Sequence, residues 1–295
     1  MQTVHLKDLL EAGCHFGHQV NRWHPKAKTF IYQSRGGIHI IDLVKTKQGV
    51  EKACEFIKSV AREGGIVLFV ATKRQAKNIV KEEAKRVGVA YLTHRWVGGF
   101  FTNWDEVKKN ITKVNSMRVD KEKGVWEQFP KHEQVKLGKE LRKLEEFYGG
   151  VSHLTELPNA VFIVDIKREK SALAEATKRE VPVVAMVDTN GDPTTVDYAI
   201  PANDDAVGSI TCIATYIANA YLEGKAIGEK EAQEKKAKEA KEPQAAKTVE
   251  QTVELKKEES IKEEEKKIKS EAKKIDEKKR KKTDKTKEAK KKKTK

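Results

Sequence analysis

Three uninterrupted apolar runs constrain this chain more than any other feature. They are Ile66-Val67-Leu68-Phe69-Val70-Ala71, Ala160-Val161-Phe162-Ile163-Val164, and the stretch from Pro182 to Val187. A strand with one wet face alternates apolar and polar residues. A strand that is apolar at every position is covered on both faces, as in a parallel sheet sandwiched between helices. Helical patterns fill the intervals. Asp42 is placed to cap a long helix carrying Val50, Ala53, Cys54, Ile57, Val60 and Ala61, which Gly64-Gly65 ends. Arg74 to Val87 reads as a helix with Ala76, Ile79, Val80, Ala84 and Val87 on one face, and Val89 to Thr93 as a strand. Ser171 to Glu180 is helical, Asp197 to Ile200 a short strand, and Asp204 to about Leu222 a helix with Ile210, Ile213, Ile217 and Tyr221. The alternation defines a doubly wound α/β fold with a mainly parallel, Rossmann- or flavodoxin-like sheet.

Two stretches depart from that rhythm. Ahead of it lie a short helix, Val4 to Glu11, and a loop from Cys14 to Lys28 rich in His, Trp and Gly. A hairpin follows, Thr29 to Gln33 and Ile38 to Ile41, turning at Ser34-Arg35-Gly36-Gly37. In the middle, Asn103-x-x-Glu106 resembles a capping box. Val107, Ile111 and Val114, then Leu137, Leu141, Leu144 and Tyr148, form narrow apolar seams on two charged helices. Such seams satisfy each other in an antiparallel, coiled-coil-like hairpin over 103–149 that needs little from the main core.

Charge points to the partner. Lys and Arg number 60 against 45 acids, a formal net charge of +15, which favours a polyanion. Residues 229–295 hold 26 Lys and Arg, 17 acids and no aromatic ring. They lack the apolar content to offset chain entropy, so a disordered or partly helical low-complexity extension is expected after a 1–228 core. No apolar run reaches the roughly 20 residues a membrane span requires, and no secretory signal opens the chain. Cys14, Cys54 and Cys212 are odd in number and far apart in sequence, the pattern of reduced thiols in a cytoplasmic protein.

The segment His94-Arg95-Trp96-Val97-Gly98-Gly99-Phe100-Phe101-Thr102-Asn103-Trp104 places four rings and two basic residues in a loop after a strand. The rings either roof the core or meet a partner, and basic groups beside stacking rings suit RNA. Arg22, Trp23, Lys26 and Lys28 repeat the theme. Lys73 and Arg74 stand where a strand gives way to a helix, either as an anion contact or as a solvated helix start. Cys14, His15, His18 and His24 match no closed zinc spacing. Asp165, Asp188, Asp192, Asp197, Asp204 and Asp205 cluster near strand ends; Asp188, Asp204 and Asp205 are the candidates for a structural Mg or Zn ion, with turn and cap chemistry as the alternative. No dinucleotide fingerprint, phosphate loop or nucleophile elbow is present, so neither a catalytic residue nor a required cofactor is expected. An enzyme holding a metal at the Asp cluster and a protein-binding adaptor are the competing classes.

Several ordered motifs resemble the bacterial small-subunit ribosomal protein S2 family. They are Ala12-Gly13-Cys14-His15-Phe16-Gly17-His18, Trp23-His24-Pro25-Lys26, Ile38-His39-Ile40-Ile41-Asp42-Leu43 and Phe69-Val70-Ala71-Thr72-Lys73-Arg74. Then come His94-Arg95-Trp96-Val97-Gly98-Gly99, Thr102-Asn103-Trp104, Val187-Asp188-Thr189-Asn190 and Ile200-Pro201-Ala202-Asn203-Asp204-Asp205-Ala206. The resemblance covers residues 1 to about 228. It implies an α/β domain with a protruding helical hairpin, bound to 16S rRNA on the cytoplasmic ribosome beside neighbouring small-subunit proteins. It also implies help in docking ribosomal protein S1, and a structural rather than enzymatic role with no small-molecule substrate and no membrane. Residues assigned to RNA contact are Arg22, Trp23, Lys26, Lys28, Lys73, Arg74, His94, Arg95, Trp96, Gly98, Gly99, Asn103, Lys108 and Lys109. Truncation after Gly228 is expected to leave the melting temperature of the core nearly unchanged. A drop of several degrees in a thermal scan would show that the extension packs on the core.

Overall fold

A computed structural model describes residues 3–234. Its centre is a five-stranded parallel sheet built from β4 (Val67–Val70), β5 (Ala90–Leu92), β6 (Ala160–Val164), β7 (Val183–Val187) and β8 (Tyr198–Pro201). The spatial order is β5-β4-β6-β7-β8, the flavodoxin-like winding with its switch point between β4 and β6. Each strand is as apolar as its sequence, and alternate residues serve opposite faces. Val67, Phe69, Phe162, Val164, Val184 and Met186 pack with α2 (Leu43–Arg62), α3 (Lys77–Val87) and the last helix. That helix, α7, begins at residue 207 and continues to the end of the described residues. Leu68, Val70, Val161, Ile163, Val183 and Ala185 pack on the other face with α6 (Lys170–Lys178). Residues up to 230 form one compact unit; of a second unit only 231–234 are described. The rest of the charged extension lies outside the described residues.

Local chemistry sets several boundaries. Asp42 caps α2, accepting from the Val44 N–H at 2.9 Å. The helix after β4 starts at Lys77, three residues later than its apolar spacing suggests, because Lys73 turns inward to its carboxylates and its carbonyl accepts from the Ala76 and Lys77 N–H groups, closing a turn first. α7 starts at 207, since the Asn203 side chain accepts from the Asp205 and Ala206 N–H groups and shapes a turn instead. The N-terminal segment holds more structure than its composition predicts. Beyond α1 (Leu6–Glu11), Phe16–Gln19 forms β1 within the stretch read as loop. It joins β2 (Ile31–Arg35) and β3 (Ile38–Ile41) in a small antiparallel sheet of order β1-β3-β2.

The middle helices, α4 (Trp104–Glu122) and α5 (Lys131–Tyr148), form the expected hairpin. Val114, Met117 and Leu141 make its private core with Leu137 and Leu144 alongside. Two expectations fail here. Asn103 makes no side-chain cap bond to α4, and Glu106 pairs with Lys109 instead of reaching back. The arm is also not separable from the domain: Val107 and Ile111 belong to the core under the sheet. The cause is that the apolar face of the first two turns of α4, Val107 and Ile111, packs with Trp96, Phe100 and Phe101 of the aromatic loop in that core.

Two glycines separate close packing from helix propensity. A Cβ on Gly49 of α2 would lie 2.7 Å from the Ala199 carbonyl oxygen of β8. Gly138 of α5 has open space around its missing Cβ. Gly49→Ala is expected to destabilise the domain by about 2 kcal/mol, and Gly138→Ala to stabilise it by about 0.5–1 kcal/mol. Urea unfolding of both variants checks the opposite signs.

Candidate functional site

The C-terminal ends of parallel strands are where such sheets present their loops. Here four strand ends and the N-terminal segment converge on one cleft. Lys73, just past β4, points inward and is only 8 % exposed. Its ammonium lies 2.8 Å from Asp204 Oδ1, 2.6 Å from Asp205 Oδ1 and 3.3 Å from Asp165 Oδ2. Burial works against the charge on Lys73, but the three carboxylates outweigh it and hold its pKa above the ordinary lysine value. Asp165 has a left-handed backbone (φ +69°), and its Oδ1 accepts from the Lys167 and Arg168 N–H groups at 3.0 Å each. Asp204 is pushed up to about 7 by burial and by the charges of Asp165 and Asp188.

His18, from β1, completes the cleft. Its Nδ1 lies 3.0 Å from Asp188 Oδ2, and Nε2 lies 2.9 Å from Asn190 Nδ2 and 3.5 Å from Asp205 Oδ2. In the neutral ring Nδ1–H donates to Asp188 while Nε2 accepts from Asn190. The hydrogen bond to Asp188 raises the His18 pKa against the opposing effect of burial. Among the described residues, His18, Asp188 and Asp204 form the group whose ligand atoms lie within 4.8 Å of one another. Three donors of this kind suit a zinc-type coordination better than the oxygen shell of Mg²⁺. Asp205 faces Lys73, and the spacing of His15 and His24 does not bring them into the group.

The aromatic loop is held from below. Glu175 of α6 accepts from Trp96 Nε1 (3.0 Å) and the Gly99 N–H (2.8 Å) through Oε1. Its Oε2 accepts from the Phe101 N–H (3.1 Å) and Thr102 Oγ1 (3.4 Å). Arg179, one turn on, donates to the Phe101 and Thr102 carbonyls. Gly99 adopts φ +86°, which lets its own N–H and that of Phe101 converge on one carboxylate. Trp96, Phe100 and Phe101 are buried under the sheet, so these rings roof the core rather than stand ready for bases. Lys73 likewise faces carboxylates, not solvent.

Other residues assigned from the sequence do reach the rim. Arg22, Lys28, Arg74, Arg95 and Lys108 are exposed, and no ion pair engages them among the described residues. Trp23 is 37 % exposed beside His39, with ring centroids 5.6 Å apart. Lys26 pairs with Asp192 at 2.7 Å, Lys109 with Glu106, and His94 faces Glu146 at 3.8 Å. Gly98 and Asn103 are exposed beside them. Sequence reasoning set His18 aside with a group that matched no closed zinc spacing, and missed Glu175. The signal for Glu175 was its register with the buried Ala172 and Ala176 on one face of a helix.

A parallel sheet with a carboxylate-locked cleft and a rim of unpaired cations defines a basic α/β scaffold protein. Comparison with known families sharpens this: residues 9–224 match the family described as ribosomal protein S2. Similar relatives include the small ribosomal subunit protein uS2 of Oenococcus oeni, 47 % identical over 225 residues, covering 76 % of this chain and 86 % of the relative. The protein of the same name from Coprothermobacter proteolyticus is 50 % identical over 225 residues, covering 76 % and 84 %. The chain belongs to the ribosomal protein S2 family, and it is not an enzyme. No helix among the described residues is long and apolar enough to cross a membrane.

Burial works to raise the Glu175 pKa, but the hydrogen bonds from Trp96, Gly99, Phe101 and Thr102 hold it below the ordinary glutamate value. The unfolded chain therefore binds the proton more readily. The stabilisation is complete above the ordinary glutamate range and is lost as pH falls through the folded pKa. Glu175→Gln is expected to cost about 2 kcal/mol at neutral pH, because its amide would point N–H groups at N–H groups. The loss should shrink toward acid pH, which denaturant melts at several pH values check.

Proposed function

We propose that this chain is a structural constituent of the small ribosomal subunit on cytoplasmic ribosomes, and that the rim of its sheet binds 16S rRNA. The observation that carries the RNA reading is a set of exposed cations at one edge that no ion pair engages among the described residues. Arg74 follows β4 and Arg95 follows β5. Arg22 is carried to the same edge by the His24 N–H, which donates to the Thr189 carbonyl just past β7 at 2.7 Å. Unpaired guanidinium groups on a rigid rim can meet phosphates in a fixed spacing without first breaking an internal ion pair. Trp23 and Lys28 extend that rim, and Lys108 carries it onto the arm. Lys73, Trp96 and Gly99 shape the surface from beneath. The names of the relatives supply the setting: both are small-subunit proteins.

The same reading has the chain help seat ribosomal protein S1. Leu6, Leu10, Phe16, Val20 and Ile38 are exposed apolar side chains of α1, the small sheet and the 3-10 turn that follows β1, a surface suited to a protein neighbour rather than to phosphate. Small subunits lacking this chain are expected to lose S1 on a sucrose gradient, and regain it when the chain is restored.

Each rim arginine is expected to add about one unit to the salt dependence of RNA affinity, since each neutralised phosphate releases counterions. Arg22→Ala, Arg74→Ala and Arg95→Ala should each reduce the slope of log affinity against log salt with 16S rRNA. Lys73→Ala should instead lower thermal stability, by uncovering three buried or half-buried carboxylates. Unchanged slopes in all three arginine variants would remove the rim from the RNA interface.

A further inference from the structure

The N-terminal segment and the first turns of α7 run against each other. The Asn203 N–H donates to the Cys14 carbonyl at 3.1 Å, and Asn203 Nδ2 to the Gly13 carbonyl at 3.4 Å. Gly208 approaches so closely that a Cβ there would sit 2.8 Å from the Ala12 carbonyl oxygen. Within this contact Cys14 is part of the core cluster against which Cys212 packs, and the two thiols are hydrogen-bond neighbours, although 198 positions separate them in the chain. Cys14 is fully buried and Cys212 partly exposed. Neither thiol has a role in the rim or the cleft. The third cysteine, Cys54, is occupied elsewhere: its Sγ faces the Tyr216 carbonyl at 3.7 Å.

We infer that Cys14 and Cys212 form a reversible disulfide when the folded protein meets a small-molecule disulfide oxidant. The bond staples the N-terminal segment that carries His18 to the helix that follows Asp204 and Asp205. The partly exposed Cys212 loses its proton and attacks one sulfur of the oxidant. That breaks the oxidant's S–S bond, forms a mixed disulfide and releases one small thiolate. Cys14 loses its proton in turn and attacks Cys212 Sγ. The Sγ–Sγ bond forms and the second small thiolate leaves. The two protons given up by the cysteines are taken by the two departing thiolates. Two cysteine thiols are oxidised and one small disulfide is reduced to two thiols.

The pairing divides the two steps between the sulfurs. Contact with Cys212 draws the Cys14 thiol below its ordinary value against the effect of burial while both are reduced; once Cys212 is a mixed disulfide that contact is gone, and the adjacency of the two sulfurs is what favours the resolving attack. Contact with Cys14, then burial, raise the Cys212 thiol, so entry of the oxidant is the slow step. Cys54 is pushed up to about 12 by burial and stays reduced.

The test uses the full chain, folded and at neutral pH, incubated with oxidised glutathione, then alkylated in denaturant and digested with trypsin without reduction. Mass spectrometry is expected to find peptide 8–22 joined to peptide 180–225, two hydrogens lighter than their sum. Dithiothreitol should separate them, and Cys54 should be alkylated. The linked form should melt several degrees higher, since the bond closes a long loop of the unfolded chain. In Cys14→Ser the glutathione adduct on Cys212 should accumulate instead, and in Cys212→Ser Cys14 should remain alkylatable only after unfolding. Circular dichroism confirms that each variant is folded. Finding Cys212 as a stable glutathione adduct in the wild-type protein would overturn the inference. So would a cross-link that forms only in urea.

Discussion

One buried ammonium holds the functional end of this molecule together. Lys73 leaves β4 and meets carboxylates delivered from the end of β6 and from the turn between β8 and α7. Its charge is compensated, so the carboxylates can share a small, half-dry space. Remove it and the buried Asp165 and Asp204 repel one another where water cannot screen them well, with the more exposed Asp205 adding a third charge beside them. His18 then loses the arrangement that makes Asp188 and Asp205 its partners. The geometry of the rim rests on this pairing, because the loops that carry Arg74 and Arg22 begin or anchor at the same strand ends.

Glu175 provides the second anchor, by a different principle. It satisfies two backbone N–H groups, an indole and a hydroxyl with one carboxylate. The loop over β5 therefore needs no regular secondary structure to be rigid. Its rings fill the core while its polar residues, Arg95 among them, stay outside. The separation of roles within eleven residues explains the mixed composition of that loop: aromatic side chains fix the backbone, and the backbone presents the charge.

Much of this was legible in the sequence, for identifiable reasons. The parallel strands could be read because burial on both faces leaves no polar position in β4, β6 or β7. The cap at Asp42 could be read because capping is local. The hairpin could be read from two seams at helical spacing. The failures share the opposite property. Lys73 looked like an anion contact because its carboxylates lie about 90 to 130 positions away. β1 was invisible because Phe16-Gly17-His18-Gln19 has no strand pattern; Thr189, 171 positions on, holds it through the His18 N–H. The meeting of Cys14 with Cys212 depended on the same distant pairing. The four rings after β5 were ambiguous between core and partner, and burial of Trp96 decides for the core. The capping-box spacing at Asn103 and Glu106 was a match of letters that the side chains do not use.

The position of His18 has a consequence for how the chain is made. Its partners Asp188 and Asp205 are specified 170 and 187 residues later. At roughly 5–20 residues per second, synthesis leaves the N-terminal segment without its docking site for on the order of ten seconds or more. The sheet from β4 to β7 can assemble in that interval from shorter-range pairings. The segment that carries His18 is thus among the last to settle, and closure of the cleft marks the arrival of the C-terminal third of the domain.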